Sequence, residues 1–269
     1  MTNSKKNVKS RGVLLFAFNS TIDYVKIAKQ CARLVKTNLK LPVTLVTDDP
    51  TASEWCENVI LVTNDVENYK SALDLSSWKN FDRYRAYELS PYDETLLIDT
   101  DYLVLDDSLL KLFGMDYDYH IMESNNTIDE SWDFNMGQLG LPYLWATVIL
   151  FKKTPRANLL FDLVGKIQRN YGYYCKLYNV REGNFRNDYA FTIANLILNG
   201  YTSDAATTIP LPMLTLDKPI TNLAMKYHFI IVREESRATL VALQNVHIMD
   251  KNYLLTDDFQ RFVDNICQE

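Results

Sequence analysis

Four short apolar runs in the first hundred residues, 13–18 (VLLFAF), 43–47 (VTLVT), 58–62 (NVILV) and 95–98 (TLLI), are separated by turns and stretches of helical spacing. After the first run, Val25, Ala28, Ala32, Val35 and Leu39 recur at three- and four-residue steps, which predicts a helix over 22–39. Residues 78–89 (WKNFDRYRAYEL) repeat that spacing and stop before Pro91, which predicts a second helix. Buried strands alternating with helices belong to a mostly parallel sheet covered on both faces, so the expected class is α/β.

The later part of the chain is more mixed. Strands are expected at 119–123, 146–151, 229–232 and 239–247, and helices at 156–170, 188–199 and 256–267. Residues 124–144 are polar, aromatic and punctuated by glycine and proline, which reads as a long functional loop. At 269 residues and 47% hydrophobic, the chain suits one large core. The expected layout is a flexible basic tail at 1–11 and a single domain at 12–269, with a nucleotide-binding half at 12–107 and an acceptor half at 108–269.

No apolar run approaches the roughly 20 residues that span a bilayer. With no signal-peptide pattern either, the expectation is a cytoplasmic protein without a membrane partner. Cys31, Cys56, Cys175 and Cys267 show no metal-ligand spacing and are expected to be reduced, packed thiols. Lys+Arg number 28 against 34 Asp+Glu, a net charge of −6 that argues against a protein coating polyanions.

The fourth apolar run delivers Asp99 and Asp101, one residue apart and therefore on one face of an extended chain. At the carboxyl end of a parallel strand they would lie where open α/β sheets bind ligands, and hard divalent cations prefer such oxygens. The competing reading is a pair of turn-forming aspartates. Only eight glycines are present and none forms GxGxxG or GxxxxGK, so a diphosphate must be neutralised by other means. A cation held by two carboxylates is one such means.

The block from Phe81 to Asp107, with Leu89-Ser90-Pro91-Tyr92-Asp93 and then Thr95-Leu96-Leu97-Ile98-Asp99-Thr100-Asp101, resembles the DxD region of GT-A glycosyltransferases. Within these it resembles glycosyltransferase family 8, the glycogenin and galactinol synthase-like group. The resemblance implies a GT-A fold and transfer of a sugar from a nucleoside-diphosphate sugar, by default a UDP-sugar, with retention and with Mn2+ or Mg2+ as cofactor. It implies Asp99, Asp101 and a late histidine, His247, as metal ligands, and Lys251 at the diphosphate. Phe18, Asn19 and Tyr24 resemble the first nucleotide-contact segment, and Asp48 the strand end that meets the base. Arg83 or Arg85 stands where such enzymes carry a basic residue, and Asp188 resembles the carboxylate that faces the sugar. Thr147 replaces a usual glycine and Tyr189 a usual glutamine. His228 competes with His247 for the metal-ligand role, although His228 and His120, each beside aromatic and apolar residues, also read as core histidines. Asp188 also reads as a helix N-cap.

Acceptors left open are a glycan, a small molecule, a protein or a modified DNA base, since the chain also resembles phage sugar transferases that decorate hydroxymethylated DNA. Lys5, Lys6, Lys9 and Arg11, with Trp132, Trp145, Tyr171, Tyr173 and Tyr174, favour DNA, whereas the net charge opposes it. Two rival functions are a two-metal nuclease or phosphatase built on Asp99, Asp101, Asp106 and Asp107, and a non-catalytic binding module.

Overall fold

The computed structural model describes residues 9–62, 69–70, 77–78, 81–130, 135–136, 141–180, 183–202 and 207–268. In chain order the principal strands are β1 (Arg11–Ala17), β2 (Val43–Thr47), β3 (Asn58–Leu61), β4 (Glu94–Ile98), β5 (Tyr102–Leu103), β6 (Tyr119–Met122) and β7 (Asn125–Asn126). They continue as β8 (Trp145–Lys152), β9 (Thr208–Ile209), β10 (Met213–Leu216), β11 (Asn222–Lys226), β12 (Phe229–Arg233), β13 (Ala238–Ala242) and β14 (Val246–Ile248). The helices are α1 (Tyr24–Asn38), α2 (Ala86–Leu89), α3 (Pro155–Arg169), α4 (Tyr171–Leu177), α5 (Asn187–Leu198) and α6 (Asp257–Gln268).

Seven strands form the main sheet in the order β9-β6-β8-β4-β1-β2-β3. Only β8 runs against its neighbours, so the sheet is mainly parallel, as expected. Period-two alternation explains why both faces are covered. Leu14, Phe16, Leu97, Ile149 and Phe151 pack with α3 and α5 on one side. Val13, Leu15, Leu96, Ile98, Val148 and Leu150 pack with α1 on the other. Each fully buried Leu or Ile contributes about 1.5–3 kcal/mol, so these central strands anchor the domain. The strand order reverses where β1 meets β4, and a crevice forms beyond the carboxyl ends at such a point.

Helix α1 starts where the Asp23 carboxylate accepts the Lys26 N–H at 2.8 Å and ends at Leu39, after which Lys40 takes a positive φ of 55°. Its Ile27 and Leu34 join a third core with Phe259, Phe262 and Val263 of α6 and with Leu223, Ile230 and Val232 of the β11-β12-β13 meander. A small sheet of order β5-β14-β10-β7 completes the fold.

Several expectations change. The predicted helix over 78–89 is a 3-10 segment, Phe81–Arg85, followed by the single turn α2, while Ser77–Trp78 pairs with Tyr69–Lys70 as a strand. The tighter helix aligns positions three apart, which turns Arg83 and Ala86 inward together. The predicted strand over 239–247 breaks between β13 and β14. There the Asn245 side chain accepts the N–H groups of Leu105 (2.7 Å) and Asp106 (3.1 Å) and donates to Ser108, pinning a corner that sends the chain into another sheet.

Arg11, assigned to the tail, instead opens β1 and pairs with Glu94 at 2.7 Å, while the Ser10 hydroxyl donates to Asp93. Residues 1–8, with Lys5 and Lys6, and Trp132 lie outside the described residues. The 124–144 loop contains β7 and a short pairing of Asn135–Met136 with Leu141–Pro142. His228 is exposed in the turn between β11 and β12, because the apolar residues around it end one strand and start the next. Cys31, Cys56 and Cys175 are buried thiols and Cys267 is half-buried. Among the described residues no helix is long and apolar enough to cross a membrane.

His120 is buried in the core, and neither ring nitrogen has a hydrogen-bond partner among the described residues. Burial, and then the Lys152 charge, lower its pKa from 6.5. Below that value the unfolded chain binds a proton that the folded chain refuses, so stability falls as pH drops through and below about 6.5. We expect the Tm of His120→Leu to fall less steeply than that of the parent protein between about pH 6.5 and 5, measured by thermal melts across that window. Equal slopes for the two proteins would show that His120 is not the group responsible.

Candidate active site

A cleft of about 320 Å³ opens beyond the carboxyl ends of β1 and β4. Phe16 and Phe18 come from the end of β1, Tyr24 from the start of α1, and Asp99 to Asp101 from the end of β4. Trp145, Ala146 and Thr147 enter from the start of β8, Arg186 to Asp188 from the start of α5, and His247, Met249 and Lys251 from β14 and the turn after it.

Asp99 is fixed by its backbone, whose N–H donates to the Thr147 carbonyl at 2.9 Å, and its carboxylate pairs with Arg83. Arg83 is only 2% exposed and also donates to the Ala146 carbonyl. The Ala146 N–H donates in turn to Asp188 at 2.9 Å. Both backbone groups of Ala146 thus serve cleft side chains, and the residue lies in the stretch where the register of β8 against β6 shifts, between Trp145 and Ile149. Such irregularities re-aim groups beside sites.

Asp101, 7% exposed, pairs with the Lys251 ammonium, and its Oδ2 lies 3.6 Å from His247 Nε2. Its Oδ1 is buried with no hydrogen-bond partner among the described residues. Burial opposes the charged form, yet the Lys251 ammonium beside it, joined by His247 when that ring is protonated, prevails and holds this carboxyl far below the usual carboxylate range. Asp99 moves the other way: burial raises it against the pull of Arg83. The small sheet brings the late residues here, because His247 pairs with Tyr102 and the Ile248 N–H donates to the Asp101 carbonyl at 3.0 Å.

Asp188 lies in the first turn of α5, but its carboxylate accepts from Ala146 and lies 3.2 Å from Arg186 rather than capping its own helix. Tyr143 adds a hydrogen bond to it, and burial, followed by the Asp188 charge, raises the phenol. Tyr143 also packs edge-on against Trp145 (4.9 Å) and Tyr189 (5.6 Å), so the Trp145 wall of the cleft is backed by two further rings.

Of the residues singled out from the sequence, Phe18, Tyr24, Arg83, Asp99, Asp101, Asp188, His247 and Lys251 line the cleft. Asn19, Asp48 and Arg85 are not among its lining residues. Asn19 accepts the Val25 N–H and donates to Asp49, which braces the entry to α1. Arg85 lies 3.4 Å from Glu88 on the surface, and Asp48 is half-buried in the turn after β2. Arg186 had no assigned role, although a cation two residues before Asp188 was a signal for it. Asp106 and Asp107 are outside the cleft lining too, and Asp106 accepts from Ser108 instead. Among the described residues no three His, Cys, Asp or Glu side chains form a ready-made metal cluster. Here each carboxylate leans on a cation.

Neither a protein-family model nor a curated protein matches the chain. Among solved structures it is similar to the apo form of the glycosyltransferase GlyE of Streptococcus pneumoniae TIGR4, at a TM-score of 0.41 and 16% identity, over 72% of this chain and 44% of that one. A second structure of GlyE from the same organism gives a TM-score of 0.41 and 17% identity, over 69% and 43%. The chain spans less than half the length of either.

Proposed function

We propose that this cleft transfers a sugar from a nucleoside-diphosphate sugar, by default a UDP-sugar, to an acceptor hydroxyl with retention, as a GT-A enzyme resembling family 8. The observation that carries this reading is the pairing of three cations, Arg83, Lys251 and Arg186, with Asp99, Asp101 and Asp188 in one aromatic-walled cleft at the sheet's reversal point. A leaving diphosphate gains negative charge, and cations held in place by their carboxylate partners, with Arg83 fully buried and Arg186 at the open side, stabilise that charge with little reorganisation. Phe18 and Tyr24 offer flat faces to a base. Asp188 holds three donors, so it orients sugar hydroxyls better than it exchanges protons.

Asp99, Asp101 and His247 are the side chains that would hold Mn2+ or Mg2+, and the buried, unpartnered Asp101 Oδ1 fits that use. When bound, the cation supplies further charge stabilisation on the diphosphate. A second reading follows from the existing ion pairs: Arg83, Lys251 and Arg186 suffice, and transfer proceeds without metal. Trp145 supports a flat acceptor, whether a glycan ring or a hydroxymethylated DNA base. For DNA, however, the basic arm is reduced, since Lys9 (4.0 Å) and Arg11 (2.7 Å) both face Glu94.

A thermal-shift panel of nucleotide sugars, run with Mn2+ and with chelator, tests site and metal together. A bound nucleotide at 100 times its Kd stabilises by about 2.7 kcal/mol, a readily measured rise in Tm. A rise that needs Mn2+ supports the metal reading, and an equal rise in chelator selects the cation-only reading. No rise with any nucleotide sugar sinks both.

A further inference from the structure

Behind His247 lies a line of polar side chains that the proposed transfer does not use. Thr215 of β10 is directly opposite His247 of β14, and its Oγ1 is 3.3 Å from the ring Nδ1. The same hydroxyl donates to Asn125 Oδ1 at 2.8 Å. Thr215 is completely buried and Asn125 is 2% exposed, so neither contact competes with water.

A threonine hydroxyl has one proton to donate, and here it is donated to the Asn125 Oδ1. Toward His247 the oxygen can then only accept, which requires the proton of a neutral ring to sit on Nδ1. At the other end, Nε2 stands 3.6 Å from Asp101 Oδ2, too long for a hydrogen bond, and that oxygen already accepts from Lys251. We propose that Thr215 and Asn125 are positioning residues that fix His247 in the Nδ1–H tautomer, so that the Nε2 lone pair faces the cleft beside Asp101. A lone pair held in that direction is what a divalent cation needs, and partners behind a ligating histidine typically strengthen metal affinity by about 10–100-fold. This inference rests on the metal reading of the cleft.

The test uses the full chain with 15N-labelled histidine, free of metal, at a pH where the ring is neutral. Wild-type protein is expected to show the Nδ1–H pattern at His247. Thr215→Val, which keeps shape but removes the hydroxyl, should lose that preference, and Thr215→Ser should restore it. Asn125→Ala frees the hydroxyl to donate to the ring and should move the proton to Nε2. In parallel, binding of Mn2+ alone is measured by electron paramagnetic resonance, with a loss of about 10–100-fold expected for Thr215→Val and recovery for Thr215→Ser.

An Nε2–H ring in the wild type would overturn the proposal, since the amide would then be turned round and the hydroxyl donated to histidine. Retention of Nδ1–H in Thr215→Val would overturn it too, because another group would be holding the ring. If Mn2+ binds the wild type while either tautomer result fails, the metal reading stands and this inference falls. If the tautomer is as expected but the wild type binds no Mn2+, the metal reading fails and takes the cation role of the relay with it.

Discussion

Asp101→Asn is expected to abolish measurable transfer while leaving the protein folded. The substitution keeps the shape of a side chain that is 11% exposed and removes the charge that faces Lys251 and His247. The new amide can turn only one oxygen to this pair, and its NH2 group would repel the ammonium. Lys251 need not be stranded, since it is 23% exposed and already donates to the Ile248 carbonyl at 2.8 Å. Stability should therefore fall modestly. Catalysis should suffer more, because the group that organises charge at the diphosphate is gone. A loss of about 3 kcal/mol in transition-state stabilisation corresponds to more than 100-fold in rate. A radiolabelled sugar-transfer assay beside a thermal melt separates the two effects. Full transfer activity in Asp101→Asn would remove the central support of the proposed function.

The parts of this site that were legible in the sequence are local ones. Asp99 and Asp101 follow a run in which Leu96 and Ile98 face one core and Leu97 the other, so the strand and its acidic end can be read together. Resemblance, not spacing, singled out His247 and Lys251, because their approach to Asp101 depends on β5, β10 and β14, of which β5 has two residues and β14 three. Elements that short leave no periodicity to read. Arg186 escaped notice for a related reason. Its partner Asp188 is brought into the cleft by Ala146, beside a register shift that no local pattern announces.

The same physics explains the misread segments. Apolar spacing over 78–89 suits a helix of either pitch, and the tighter one formed here carries Arg83 into its pairing with Asp99. Over 239–247 the alternation is real on both sides of Asn245, but three hydrogen bonds from that one amide outweigh it. At His228, neighbours that look like a core strand are the two ends of a hairpin. In each case a tertiary contact decided between local conformations of similar propensity.

Arg83→Ala is expected to cause a large loss of stability as well as of function. Arg83 belongs to the short 3-10 segment, is 2% exposed, and ties Asp99 to the Ala146 carbonyl. Truncation leaves the Asp99 carboxylate without its main counter-charge and the Ala146 carbonyl without its donor, and it widens the cleft that Arg83 lines. Breaking a fully buried pair by removing one partner costs about 3–5 kcal/mol, and with the Asp99 side chain 29% exposed the cost here falls at the lower end, about 3 kcal/mol. For a chain of this size that lowers Tm by about 10 °C. Arg83→Lys preserves the charge but cannot reach two acceptors with a planar fork, so it should recover part of the stability and little of the donor binding. Arg83→Met fills much of the volume without charge and separates packing from electrostatics. If thermal melts show all three variants within 1 °C of the parent, as an order-of-magnitude threshold for about 0.3 kcal/mol, the pair is not a structural tie. The cleft would then have to hold Asp99 by its backbone bonds, to the Thr147 carbonyl and from the Tyr102 N–H.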